Sequence, residues 1–217
     1  MSVRTAPAPH DCRRSVRIRT LRHAEDGPLR QVYAGLSQRS RFLRYHRVTP
    51  ALPSSTVAAL VDIRPGHHVA FAAEIGGEPV GIVRWIRLPG APTHAELAAE
   101  VVDAVQGCGL GRQLAAAAAR SALAVGVEWF RLWVHSGNVA LRQRLRAVNA
   151  AVAVDDPDEF LLPVTALLPG QARPDLHDNS CAVTNLGRPG QRPADQGVGW
   201  WHTASRLMPC GSLTKAP

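Results

Sequence analysis

Between residues 106 and 112 the chain reads Gln106-Gly107-Cys108-Gly109-Leu110-Gly111-Arg112, and this run is the part of the sequence best suited to holding a charged ligand. Glycines at alternate positions let a backbone turn tightly and come close to a ligand with no Cβ in the way. Leucine- and alanine-rich sequence follows at once, from Arg112 to Val125. That is the composition with the strongest helix-forming preference in the chain. A glycine turn that opens a helix aims the first unbonded N–H groups, and the positive end of the dipole, at one spot. Arg112 adds a charge-assisted donor there. The chemistry implied is the cradling of a phosphate or pyrophosphate.

Three kinds of phosphate loop compete for this run. A Walker A loop ends in Gly-Lys-Ser/Thr, whereas Gly111-Arg112-Gln113 stands here. A dinucleotide fingerprint needs GxGxxG and an acidic residue after the next strand. Here the glycines fall at 107, 109 and 111, and the next strand ends in His135-Ser136. What remains is Gln-x-x-Gly-x-Gly. Metal chemistry has little support. His67-His68 is expected to be solvated, His10-Asp11-Cys12 is a weak cluster, and no metal is expected. The four cysteines, at 12, 108, 181 and 210, form no CxxC pair. That spacing argues against a zinc knuckle or a disulfide framework and fits a reducing cytoplasm.

The elements that must position the loop follow from periodicity. Val16 to Arg19 alternates as a short strand. Asp26 is placed to cap a helix with Pro28 in its first turn and Leu29, Val32, Tyr33 and Leu36 on one face. That helix is expected to end before Ser37-Gln38-Arg39-Ser40. A second helix starts near Ser54 or Ser55 and stops at Pro65-Gly66. His68–Ile75 and Pro79–Leu88 read as a hairpin joined by Gly76-Gly77. A third strand runs from about Ala95 to Asp103, directly before the glycine loop. After the Arg112–Val125 helix, Gly126 ends it, and Trp129 to His135 is a strand whose tryptophans are expected in the core. Asn138 caps a last helix carrying Leu141, Leu145 and Val148. Short strands at Ala151–Val154 and Glu159–Val164 close the unit. The order is β-α-α-β-β-β-α-β-α-β-β, a mixed α/β sheet.

Length and charge bound the rest. The 217 residues, 46% of them hydrophobic, suffice for one sizeable domain and an appendage. No apolar run approaches the roughly 20 residues a bilayer span needs, so no membrane association is expected. The net charge of +8 sits wholly in residues 1–50, where 11 arginines face Asp11, Glu25 and Asp26. Aromatic interleaving is limited to Tyr33, Phe42 and Tyr45, which argues against nucleic acid as partner. Three regions are expected: a mobile N-terminus over 1–15, a domain over 16–169, and a disordered tail over 170–217, where Trp200-Trp201 is the odd feature. The tail holds six glycines and five prolines with no helical period.

Three stretches together resemble the GNAT family of N-acetyltransferases, and most closely its branch of bacterial protein-lysine acetyltransferases. Leu36-Ser37-Gln38-Arg39-Ser40-Arg41-Phe42-Leu43-Arg44-Tyr45 is similar to that branch's LSxxSRxLRF segment. Ala95-Glu96-Leu97-Ala98, then Val101-Val102-Asp103 and the loop, is similar to its AExAxxVxDxxQGxGxG block. Asn138 stands where the family's asparagine opens the helix after strand five. The resemblance covers roughly residues 16–168 and implies a GNAT-like acyl-CoA N-acyltransferase fold. It implies acetyl-CoA as cosubstrate, held by Val102, Gln106, Gly107, Cys108, Gly109, Leu110, Gly111, Arg112 and Asn138. It implies an amine acceptor, a protein lysine or a small molecule, with Glu96 as general base and the oxyanion donor near Val101. Glu100, on the same strand face, is the rival base, and Asp103 is expected to brace the loop. Two departures stand out. No tyrosine follows Asn138 on its helix, so the general acid is unassigned, and Asn149-Ala150 replaces the family's Gly-Phe. Those departures favour a second reading: a catalytically weak acetyl-CoA-binding sensor or scaffold of the same fold.

Overall fold

A computed structural model describes residues 15–148, 150–153 and 156–170. The expected mobile N-terminus, apart from Ser15, and the expected tail, apart from Gly170, lie outside the described residues, as do His10-Asp11-Cys12, Trp200-Trp201, Asn149 and Val154. Among the described residues the chain builds β1 (Val16–Thr20), α1 (Gly27–Ala34), α2 (Gln38–Tyr45), α3 (Ser54–Leu60), β2 (His68–Ile75), β3 (Glu78–Leu88) and β4 (Ala91–Val101). Then come α4 (Leu110–Leu123), β5 (Trp129–Trp133), α5 (Val139–Ala147), β6 (Ala151–Val152) and β7 (Glu159–Pro163). The strands form one mixed sheet in the order β1-β2-β3-β4-β5-β7-β6. All neighbours are antiparallel except β4 and β5.

The hairpin β2–β3 turns through Gly76 and Gly77, both at positive φ (60° and 84°), as a two-residue I′ turn requires. Opposed residues share a face, so β3 and β4 sort their side chains cleanly. Gly81, Val83 and Trp85 lie with Val101, Ala99 and Leu97 on one face. Ile82, Arg84 and Ile86 lie with Glu100, Ala98 and Glu96 on the other. The first face is covered by α4, whose Leu110, Leu114, Ala118, Ala119 and Ala122 are buried at the helical spacing. Trp85 Nε1 donates to Ser121 Oγ at 2.7 Å and fixes the helix along the strand. A Cβ at Gly81 would come within 3.0 Å of Leu114 Cδ1 and 3.2 Å of the Glu100 carbonyl oxygen, so glycine is what admits α4 this close.

The opposite face is approached by α2 and α3, and α2 is one helix more than the sequence pattern suggests. It has no buried residue and three arginines among eight residues, so no apolar stripe announces it. Its supports are polar and distant in sequence. The Ser37 side chain accepts from Ser40 N–H as an N-cap. Asp103 accepts from Ser37 N–H (2.8 Å), Ser37 Oγ (2.9 Å) and Ser40 Oγ (2.8 Å). Arg41 donates to the Tyr33 and Ala34 carbonyls at the end of α1, groups that a helix terminus leaves unsatisfied. Partial burial pushes the Asp103 carboxyl up, but the hydrogen bonds from Ser37 and Ser40 outweigh it and hold the group below its ordinary value. Asp103 thus braces α2 against the end of β4.

Other differences are smaller. Asp26 sits at the α1 N-cap position in a helical conformation, makes no capping bond, and binds Arg30 Nε at 2.7 Å instead. α3 ends at Leu60, before the Pro65-Gly66 stop, and β4 begins at Ala91, four residues earlier than expected. His68 is not solvated but 3% exposed. Burial, helped by the nearby Arg84 charge, pushes its imidazole down to about 4.

Candidate active site

The glycine loop joins the end of β4 to α4 through a short 3₁₀ turn at Asp103–Val105. Gly107 and Gly109 take φ of 83° and 79°, the left-handed region that favours glycine. Gly111 has ordinary φ, and a Cβ there would meet nothing within 4 Å. Neither packing nor backbone conformation requires glycine at 111; the space a side chain would fill opens toward the cavity described below. Arg112 and Gln113 N–H both return to the Gly109 carbonyl (3.1 and 3.2 Å). The Leu110 and Gly111 N–H groups precede those bonds and point out of the helix start. Gln106 Nε2 donates to the Val101 carbonyl at 2.9 Å, tying loop to strand. Cys108 lies in the loop between Gly107 and Gly109; the other three cysteines lie outside the described residues.

Beside the loop the sheet splits. β4 and β5 pair only from His94↔Trp129 to Glu96↔Arg131. Past that point β4 stays with β3 as far as Val101, and its other edge is left open. Val102 N–H donates to the Val80 carbonyl across β3 at 2.9 Å. N–H groups alternate in direction along a strand, so those of Ala99 and Val101, beyond the last paired residue, face the gap toward β5. A cavity of about 2380 Å³ occupies this wedge and extends onto the Glu96 face. Glu96, Val101, Gln106, Gly107, Gly109, Leu110, Gly111, Arg112 and Asn138 all line it. Val102 does not: it is 4% exposed with its N–H spent on β3, and its side chain packs against Gly35. It belongs to the core rather than to the expected contact set. Cys108 is likewise outside the lining. Asn138 caps α5 through a long 3.4 Å bond from Leu141 N–H.

The two glutamates of β4 have opposite surroundings. Glu96 is 7% exposed, and among the described residues no hydrogen bond or ion pair reaches its carboxyl. Burial, opposed in part by the Arg44 and Arg131 charges, pushes it up to about 8. Glu100 accepts from Arg44 Nε at 2.7 Å and Arg84 Nη2 at 2.9 Å. Burial would raise it, but these two guanidinium groups win and hold it below its ordinary value.

Four cavity residues carry weight that sequence reasoning did not give them: Arg44, Tyr45, Trp133 and His135. Arg44 and Tyr45 come from the helix that the periodicity missed. Arg44 lies 4.9 Å from the Tyr45 ring centroid, and the Tyr45 hydroxyl is pushed up by burial and by Glu100. Trp133, expected in the core, is only partly buried and walls the cavity beside Arg131, 5.3 Å from its ring. His135 Nδ1 accepts from Gly137 N–H at 2.9 Å, and its ring meets Phe42 edge-on at 5.1 Å. A motif segment of unassigned shape at 36–45 was the available signal for the first two.

Residues 37–146, from the N-cap of α2 to the last turn of α5, match the profile of the acetyltransferase (GNAT) family. The chain belongs to the GNAT acetyltransferase family. Solved GNAT structures share its fold. The GNAT domain of S. lividans PAT is 24% identical with a TM-score of 0.63, over 68% of this chain and 90% of that one. An N-acetyltransferase from Staphylococcus aureus Mu50 is 16% identical with a TM-score of 0.54, over 69% and 99%. A putative acetyltransferase from Salmonella typhimurium, solved with its cofactor acetyl-CoA, is 17% identical with a TM-score of 0.53, over 73% and 97%. Among the described residues of this GNAT chain, no group of histidines, cysteines and carboxylates could hold a metal ion, and no helix is long and apolar enough to cross a membrane.

Proposed function

We propose that this chain moves the acetyl group of acetyl-CoA to an amine by direct attack, with Glu96 as the proton acceptor. The observation that carries the reading is one cavity shared by the glycine loop at one end and the unpaired, buried Glu96 at the other. Pyrophosphate lies against the Leu110 and Gly111 N–H groups and Arg112, at the positive end of α4. The pantetheine arm follows the open edge of β4. A neutral amine attacks the thioester carbonyl, the outward N–H groups of β4, Val101 among them, steady the oxyanion, and the thiolate leaves. A free lysine has a pKa of about 10.4, so a base must take its proton. A carboxyl raised to about 8 is a stronger base than an ordinary glutamate. The acceptor is a protein lysine or a small-molecule amine, the lysine being preferred because the 36–45 and 95–111 segments resemble the protein-lysine branch. A cytoplasmic setting, where acetyl-CoA is plentiful, belongs to the same reading.

Glu96→Gln decides it. Turnover should fall by roughly 10²–10⁴-fold while coenzyme A affinity holds. In the wild type kcat/KM should climb with pH through about 8, as the Glu96 carboxyl loses its proton. A Glu96→Gln enzyme as active as the parent would remove the base. Tight coenzyme A binding with no turnover on any amine would replace the enzyme with the sensor or scaffold reading.

A further inference from the structure

Glu96 and Glu100 stand on the same face of β4 with Ala98 between them. Arg84 lies on β3 directly opposite Ala98. It shares their face, level with the midpoint between the two carboxyls and one diagonal step from each. Its guanidinium goes to Glu100, at 2.9 Å. Arg44 arrives from α2 and binds the same carboxylate through Nε at 2.7 Å. The cluster is closed in, with side-chain exposures of 1% for Arg84 and Glu100 and 16% for Arg44. One carboxylate therefore holds two cations, while the neighbouring carboxyl on the same face takes none.

We propose that Glu100 is a positioning residue for the transfer reaction: by holding Arg44 and Arg84 it keeps both guanidinium groups off Glu96 and leaves that carboxyl open to the acceptor amine. This rests on Glu96 being the proton acceptor. An arginine paired with Glu96 would damage the reaction twice, by lowering the basicity of the carboxylate and by filling the place of the amine. The Arg44 charge opposes the burial-driven rise of Glu96 more than any other; Arg131, opposite Glu96 on β5, also opposes it and is paired with Glu159 at 2.9 Å, whose own charge adds to the rise. The cavity also reaches Arg44, Glu96 and Glu100 together.

Glu100→Gln keeps the shape of the side chain and removes its charge, so the test is the pH profile of kcat/KM beside coenzyme A affinity. The ascending limb should move to lower pH by about one unit as an arginine turns to Glu96. The plateau should drop roughly tenfold or more, with the affinity unchanged. Adding Arg44→Gln to Glu100→Gln should bring the limb back toward the wild-type position, which a merely structural role for Glu100 would not do. If Glu100→Gln does not fold, Arg44→Gln alone carries the test. Loss of the cation whose charge most opposes the rise of Glu96 should raise the limb by about half a unit or more. A limb that stays put in each variant that folds overturns the proposal. Failure of the underlying reading looks different: Glu96→Gln itself would then retain the limb and the rate.

Discussion

The two faces of the sheet at β3–β4 are built from different materials. Against α4 the contacts are Gly81, Val83, Trp85 and Leu97 on leucines and alanines, with one hydrogen bond from Trp85 to Ser121. On the other face Arg84, Glu96, Glu100 and His68 are buried together, with Arg44 reaching in from α2. The first face gains stability from area removed from water, which is indifferent to pH. The second holds charges whose desolvation is repaid only by geometry. The glycine loop hangs from the end of the apolar side, and the candidate base sits on the ionic side. The scaffold that carries the glycine loop is therefore insensitive to pH, while the candidate base is placed where protonation is tunable.

The largest effect should come from breaking the ionic face. Arg84→Met leaves Glu100 buried with one partner instead of two and should cost about 3–5 kcal/mol of unfolding free energy. Urea unfolding measures it, and a cost below about 1 kcal/mol would mean Arg44 alone satisfies Glu100. On the apolar face Leu114, fully buried against Gly81, gives a cavity on truncation. Leu114→Ala should cost about 2–5 kcal/mol, and by the same amount at pH 6 and pH 9.

Glu96→Gln should sharpen the comparison by going the other way. The folded protein keeps a proton on Glu96 up to about pH 8, whereas the unfolded chain releases it near the ordinary 4.5. The folded state binds more protons across that window, so wild-type stability falls as pH rises through it. The variant escapes the loss. It should melt with the parent at pH 4 and above it at pH 9, by a few kcal/mol at most. Equal midpoints at both pH values would place Glu96 in contact with water.

The smallest effect belongs to α2, which is held by caps rather than by a core. Ser37→Ala removes the bond from Ser40 N–H and one partner of Asp103, and should cost about 1 kcal/mol. Hydrogen exchange should show the loss confined to residues 38–45, with α4 unmoved. Loss spread over the sheet would mean that α2 folds with the core and not upon it.

Local sequence was enough wherever a segment's own residues supply its reason. Gly76-Gly77 fixes a hairpin because both positions need positive φ, and the Leu/Ala run after Gly109 forms a helix because its apolar residues repeat at helical spacing. The glycine loop was legible for the same cause, since glycines at 107 and 109 meet a backbone demand made within seven residues. Segments held from far away were not legible. Helix α2 exists through Asp103, some 65 residues on, and carries no apolar stripe to announce it. Val102 went to the core because its N–H belongs to β3, which only strand pairing decides. His68 was buried by packing that two adjacent histidines give no sign of. The sequence favoured Glu96 only through the family resemblance and left Glu100 as its rival, two carboxyls on one strand face. Tertiary structure alone separates them, because the arginines that select Glu100 come from β3 and α2, and an ion pair forms where chain elements meet rather than where a motif is written.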